Sequence, residues 1–303
     1  MPDQASSHPR AWHRFQRNRP ALVASVILLA IILGALLGPA LTGHDANTGS
    51  DLPFAPPGPR HWLGTDIHGR DLLARTLAGT RISLLVGLVG AGVSVVIGVT
   101  WGMIAAYAGG RTDGVMMRFV DVLYALPNII FVMLAVTMLE EHLSRWLGEH
   151  VPSLASGTRL LLLFGCLGAV SWLNMARIVR GQVLVLREQP FILASRALGA
   201  RPRHILIRHL LPNLAGIIIV YAALTLPAVI LYESFLSFLG LGIRPPDASL
   251  GTLIEDGARQ LNPLQVRWWL LLGPGGILAV TLLAFQLIGD GLRDALDPGA
   301  EGG

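Results

Sequence analysis

All 23 basic residues of this chain are arginine, and lysine does not occur in it. That removes a nucleotide-cradling G-x-x-x-x-G-K-[ST] loop, a pyridoxal Schiff base and a Ser-Lys dyad, because each needs a lysine amine. Nine histidines are left as candidates for metal or acid–base work. The groupings the sequence offers are His61 with His68, and Glu141, His142, Glu149 and His150. None makes H-E-x-x-H or another compact ligand set, so they read as loop residues and no metal site is assigned. Ser83, Ser94, Ser171 and Asp121 provide no nucleophile and base at helical spacing, which argues against an intramembrane hydrolase. The chain reads as non-catalytic.

Two acids fall inside or beside apolar runs, where a charge must be paired or reach water. Asp121 follows Arg118 by three residues, a spacing that suits a helix-surface ion pair. Glu233 is expected at a run's edge, where it reaches water, lines the outer mouth of a path or ties the 233–251 segment to a neighbour. The single cysteine, Cys166, lies within an apolar run; it excludes an intrachain disulfide and reads as packing.

The elements that carry these residues follow from composition: 52% of the chain is hydrophobic and only 14% charged, against about a quarter charged in soluble domains. A transmembrane helix needs about 20 apolar residues. Roughly six windows supply them, at 21–42, 82–108, 122–139, 160–176, 210–232 and 268–289. The fold class expected is all-α and polytopic. The first window follows Arg10, Arg14, Arg17 and Arg19, yet exceeds a signal peptide's core and reads as a retained helix. Gly98 and Gly102, at G-x-x-x-G spacing, read as close packing between helices.

Arginine bias sets an expected orientation. With the N-terminus in the cytosol, fourteen arginines lie inside and nine outside, the outer ones accompanied by ten acids. Both termini are then cytosolic. The expected organisation is a cytosolic segment at 1–20, a first span at 21–42 and an extracytoplasmic linker with an amphipathic segment at 43–81. A five-helix core at 82–290, with a cytosolic basic loop at 177–212, precedes a cytosolic tail at 291–303. PFAPPGPR, 53–60, reads as an extended stretch. The basic residues flank apolar windows and form no stripe with interleaved aromatics, so nucleic acid is not an expected partner.

The most unusual segment is FILASRALGARPRHILIRHLLPN, 191–213. Pro190 suits a helix start, Gly199 a left-handed stop, Pro202 a second start and Pro212 its end, which predicts helix, sharp turn, helix. Phe191, Ala194, Ser195 and Leu198 share one face, apolar at its ends and small in its middle. Arg196, Arg201, Arg203 and Arg208 surround that face and can pair with a partner's acids. Taken alone, the pattern also fits an interfacial helix on anionic headgroups.

The spacing resembles the EAA loop of ABC importer permeases, E-A-A-x(3)-G-x(9)-I-x-L-P. Leu193, Ala194 and Ser195 stand for the triplet, Gly199 for the glycine, His209 for the isoleucine, and Leu211 and Pro212 for the closing pair. The glutamate, the second alanine and the isoleucine are replaced. LGTDIHGRDLLARTLAGTRISLLVG, YAGGRTDGVMMRFVDVLYALP, SWLNMARIVRGQ, ESFLSFLGLGIRPPDASLG and IGDGLRDALDP resemble the permeases of peptide and nickel ABC importers along nearly the whole chain. The pattern is most similar to the C-type subunit of oligopeptide and dipeptide permeases.

The resemblance implies a MetI-like permease fold in a bacterial inner membrane. It also implies a homologous second permease, two cytosolic ATPase subunits and an extracytoplasmic binding protein as partners, besides membrane lipid. ATP and magnesium would sit on the ATPases, with no cofactor on this chain. Residues Phe191, Leu193, Ala194, Ser195, Arg196, Leu198, Gly199, Arg201, Leu211 and Pro212 would couple to those ATPases. Glu233, Phe235, Phe238 and Leu239 would line the path or its outer gate, with 235–243 returning only partway into the membrane. An extended 140–159 loop would bear on docking of the binding protein. Short peptides are the implied substrate, with nickel or glutathione as alternatives in the same family. An autonomous secondary transporter or channel is the competing class, and it would need broken mid-span helices or acid relays.

Overall fold

The computed structural model describes residues 7–152, 157–262 and 264–296. Parts of the expected 1–20 segment, the 140–159 loop and the 291–303 tail, namely 1–6, 153–156 and 297–303, lie outside them.

Among the described residues the named elements are all helical. A short helix α1 (Ser7–Arg17) leads into α2 (Arg19–Thr42). An arch at 43–71 connects α2 to α3 (Leu72–Ala108), a 37-residue helix about 55 Å long at 1.5 Å per residue. This helix begins ten residues before the expected window at 82. Its start is fixed by Asp71, whose Oδ1 accepts the Ala74 N–H at 2.8 Å and so caps the first turn. The expected linker of 43–81 is therefore an arch of 43–71, and residues 72–81 belong to the span.

The window at 122–139 is not one straight span. α4 (Gly110–Tyr124) and α5 (Asn128–His150) meet at an 83° bend. Pro127 causes it, since proline lacks an N–H and drives the residue before it away from helical angles. α5 runs on to His150, so the first part of the expected 140–159 loop is helix. α4 is held to the next helix, α6 (Thr158–Leu186), by charge. Arg180 donates to both carboxylate oxygens of Asp113 at 2.6 and 2.7 Å. Asp121 pairs with Arg177 at 2.8 Å, not with Arg118 as its spacing suggests, because α6 offers a guanidinium across the interface. The ring of Tyr124 lies 4.1 Å from that Arg177 guanidinium.

α3 and α6 pack backbone to backbone, and the glycines are the reason. A Cβ at Gly98 would meet Met175 Cβ at 2.6 Å and the Trp172 carbonyl at 2.8 Å; one at Gly102 would meet the Ala176 carbonyl at 2.5 Å. The G-x-x-x-G spacing thus serves packing within the chain.

Beyond α6 come α7 (Pro190–Ala197) and a single turn, α8 (Pro202–His204). A π-helical turn (Ile205–Leu210) then passes into α9 (Leu211–Leu236). Pro212 does not end this helix as expected. The chain is continuous from Pro202 to Leu241. The π-turn, in which the Leu211 N–H reaches the Leu206 carbonyl, shifts the bonding pattern just before a residue with no N–H to give. A second π-turn (Ser237–Leu241) extends α9 until Gly240, at φ +77, breaks it. The segment 235–243 is therefore mostly the frayed end of this helix. α10 (Leu250–Arg259) and α11 (Trp269–Leu296) complete the fold.

α2 packs on α11: Ala24 and Leu28 share a buried cluster with Ala284, and a Cβ at Gly291 would fall 2.5 Å from Ala21 Cβ. The opposite flank of α2 exposes Val23, Val26, Leu29, Leu33 and Leu36. Among the described residues five helices are long and apolar enough to cross a bilayer, and the total is six if the bent α4–α5 pair counts as one span.

Candidate functional site

The hairpin at 190–212 stands at the end of the molecule where α3 finishes. Gln189 is extended at φ −70 and ψ 144, and Pro190 occupies the first helical turn. The exit is a left-handed stop: the N–H groups of Leu198, Gly199 and Ala200 return to the carbonyls of Ala194, Arg196 and Ser195 at 3.0, 2.9 and 3.1 Å. Gly199 has φ +78 with no atom near the position of an added Cβ, so glycine is needed for its backbone angle and not for space. Arg201 then caps the short α8 as an exposed, extended residue, and Pro202 restarts the helix.

What makes the hairpin stiff is a residue the sequence reading passed over. Ile192 is fully buried, together with Ile205 and Leu210. The three join Val99, Met103 and Ala106 of α3 and Val179 and Val183 of α6 in one core. Tyr107 adds a second tie, its ring 4.7 Å from the Arg196 guanidinium. A third is the contact of Ser195 Oγ with His209 Nε2 at 3.2 Å. The position that replaces the motif's isoleucine thus bonds the one that replaces its second alanine. Arg187 closes the root by donating to the Ala106 carbonyl at 2.7 Å.

The outward face carries Phe191, Leu193, Ala194 and Leu198, with Leu198 88% exposed. Leu211 is half-buried and Pro212 exposed where the hairpin runs into α9. An apolar patch on an element whose roots sit in the core can transmit force without bending. Periodicity could have flagged Ile192, which lies four residues before Arg196 and alternates with the outward pair Phe191 and Leu193. His209 and Tyr107 left no such signal.

At the other end, the four residues expected at the path do not come together. Phe235, Phe238 and Leu239 form an exposed stripe on one side of the α9 extension. Glu233 turns inward and is fully buried, so it does not reach water as an edge carboxylate. Its oxygens accept the hydroxyls of Ser237 at 2.6 Å and Ser83 at 3.2 Å. Ser83 in turn accepts the Leu250 N–H at 3.2 Å, and Ser237 lies 3.3 Å from Ser249 Oγ. Ser249 is the N-cap of α10, in a capping box with Thr252. The carboxylate therefore gathers α3, α9 and the start of α10 into one polar knot. Gly251 lets α10 approach, since a Cβ there would fall 2.5 Å from Ser234 Cα.

Beside this knot opens a cavity of about 440 Å³ lined by Arg70, Arg75, Arg159, Arg244 and Arg259 against Asp247, Glu255 and Asp256. Arg159 donates to the carbonyls of Gly240 and Leu241 at 3.2 and 3.3 Å, and with Arg244 it pairs with Glu140. The end of α9 is thus tied to the start of α6 and to Glu140 in the middle of α5. These residues come from four separate stretches of chain, and nothing local in the sequence joins them.

Comparison with known proteins agrees with this architecture. Residues 98–302 match the family described as the binding-protein-dependent transport system inner membrane component, and residues 9–57 match the N-terminal TM domain of oligopeptide transport permease C. The oligopeptide transport system permease protein OppC of Haemophilus influenzae is 44% identical over 95% of this chain and 87% of its own length. The OppC of Escherichia coli K12 is 45% identical over 95% and 90%. The dipeptide transport system permease protein DppC of Bacillus subtilis is 42% identical over 95% and 84%. Among solved structures, the inward-facing MetNI methionine ABC transporter aligns with a TM-score of 0.55 at 19% identity, over 72% of this chain and 94% of the other, which shows the fold. The fold is all-α and MetI-like, and the chain is a multi-pass inner-membrane protein. Its family match covers more than half its length and its relatives nearly all of it, so it belongs to the inner membrane components of binding-protein-dependent transport systems.

Proposed function

We propose that the chain is the C-type permease subunit of an ATP-driven importer of short peptides, and that the 190–212 hairpin is where its ATPases grip it. The observation that carries this reading is the contrast within the hairpin: Ile192, Ile205 and Leu210 are fully buried while Leu193 and Leu198 are exposed on the same element. Such a handle, pushed by a closing pair of ATPases, moves α6 and α9 as rigid bodies and swings the path between outward-open and inward-open states. The peptide substrate follows from relatives whose names are those of oligopeptide and dipeptide permeases.

In this reading both termini and the hairpin are cytosolic, and the 43–71 arch faces the other side, where a binding protein delivers substrate. A homologous permease supplies the other half of the path. Lacking lysine, the chain has no nucleotide loop of its own, so ATP and magnesium belong to the ATPases. The knot around Glu233 holds α10 in register with α9 at the mouth, while Phe235, Phe238 and Leu239 face the partner permease or the path.

Gentle extraction of the tagged chain from its native membrane, followed by mass spectrometry, tests the assembly. Recovery with a second permease and two P-loop ATPases is expected. Recovery alone, under conditions that keep a control ABC complex whole, would favour an autonomous carrier.

A further inference from the structure

The arch brings together three groups that the sequence keeps apart. His44 follows the end of α2, where Gly43 turns the chain at φ +66. His61 lies in the middle of the arch, and Asp71 caps α3. One ligand atom from each of the three lies within 4.8 Å of the other two. His61, which the sequence pairs with His68, stands instead with its ring centroid 5.0 Å from that of His44. Its Nδ1 is 2.8 Å from Asp71 Oδ2.

We propose that His44, His61 and Asp71 form a binding site for a divalent transition ion of the zinc type, which pins the end of the first span to the start of the core. Two imidazoles and a carboxylate match the donor preferences of zinc, and nitrogen donors disfavour magnesium and calcium. The Asp71–His61 hydrogen bond joins two members of the group, and the tilted His44 ring brings the third within reach of both.

Asp71 is well placed for the role. It is 4% exposed, and its other oxygen is fixed by the Ala74 N–H at 2.8 Å, so Oδ2 is held in place by the first turn of a long helix. His44 is the adjustable member, being exposed on a turn just past the helix end. Bond lengths of about 2.0–2.2 Å in a tetrahedral site put neighbouring donors roughly 3.3 Å apart. From a limit of 4.8 Å that is a movement of about 1.5 Å, which an exposed ring on a glycine turn can make. The Arg60 carbonyl, 3.2 Å from His44 Nε2, or a water can complete the set.

The ion would be structural. Bound to His44 at the end of α2 and to Asp71 at the start of α3, it closes the arch at its base and ties the first helix to the five-helix remainder. It is independent of the substrate and of the ATPases, so it stands or falls apart from the transport assignment.

The test uses the full chain in its purified complex, carrying a tag without histidines, stripped with a chelator and titrated with zinc by calorimetry and thermal unfolding. Expected are one zinc ion per copy with micromolar or tighter affinity, a raised melting temperature and no response to magnesium. His44→Ala should weaken binding at least tenfold, as should His61→Ala. Asp71→Asn, which keeps a good capping side chain, should weaken it by about 10–100-fold. A His142→Ala, His150→Ala double variant should bind zinc as before. His44 is exposed, so its replacement leaves the fold intact and decides the matter even where His61→Ala fails to fold. Undiminished zinc binding in His44→Ala, or a folded parent protein that takes up no zinc, overturns the proposal.

Discussion

At Gly199 the backbone sits at φ +78 with open space around it. The cost of replacing it is therefore conformational: a side chain in the left-handed region costs about 1–2 kcal/mol, more for a β-branched one, and least for asparagine. Gly199→Val should abolish most peptide uptake and the coupling of ATP hydrolysis to transport while leaving the chain in the membrane, and Gly199→Asn should keep both largely intact. Normal uptake by the valine variant would sink the coupling role. A second pair of substitutions separates the hairpin's root from its outward face. Ile192→Ala empties a fully buried site and should cost about 2–4 kcal/mol in thermal unfolding. Leu198→Ala removes a residue that is 88% exposed and should leave the unfolding midpoint unchanged while reducing ATPase co-purification. If Leu198→Ala retains its ATPases, the apolar face is not the grip. Glu233 supplies the residue-scale test at the other end. Glu233→Ala strips the buried hydroxyls of Ser237 and Ser83 of their acceptor and should lower stability by about 2–3 kcal/mol, with Glu233→Gln milder because it keeps one acceptor oxygen.

Between elements, small residues set how near the helices come. Gly251 lets the start of α10 lie against the backbone of α9, where a Cβ would be 2.7 Å from the Ser234 carbonyl. Gly251→Ala must push α10 off the knot around Glu233, and it should lower the melting temperature and transport together. Gly92, on the α3 surface with nothing within 4 Å of an added Cβ, is the control, and Gly92→Ala should match the parent in both assays. Equal behaviour of the two variants would mean that α10 is not packed as described. The charged ties act at the same scale. The bidentate pair of Arg180 and Asp113 and the pair of Arg177 and Asp121 fasten α4 along α6, so the bend at Pro127 redirects α5 without loosening α4.

The molecule as a whole leaves wide apolar surfaces uncovered. Val115, Phe119 and Val122 on α4, and Ile130, Leu134 and Met138 on α5, are exposed alongside the outward flank of α2. Lipid covers such surfaces at no cost, and so does a second helix bundle. Half an importer should therefore be less stable alone than in its complex, because a partner that binds only the folded chain adds its binding free energy to folding. The chain expressed without its partners should unfold at a lower temperature in detergent than within the co-purified assembly. Equal midpoints would indicate that the exposed faces meet only lipid.

Composition and short-range pattern were enough for the class of molecule. An apolar run long enough to cross a bilayer has few alternatives, so the all-α polytopic fold was legible. So was the turn at Gly199 between Pro190 and Pro202, because proline and glycine act on their own backbone angles. Family membership was legible from motifs spread over most of the chain. What depended on contacts between distant residues was not. The pairing of Asp121 with Arg177, the burial of Glu233 among serines from three helices, the meeting of His44 with His61 and Asp71, and the anchoring of Ile192 all arise from side chains far apart in sequence. The ends of helices were also misread: α3 starts at Leu72 behind its Asp71 cap and α9 runs through Pro212, since a cap and a π-turn each change the local bonding without changing hydropathy. Hydrophobic length determined which segments enter the membrane. Only their packing decided which polar groups meet inside it, because a buried carboxylate or imidazole takes its partners from whatever neighbouring helix comes within hydrogen-bond reach.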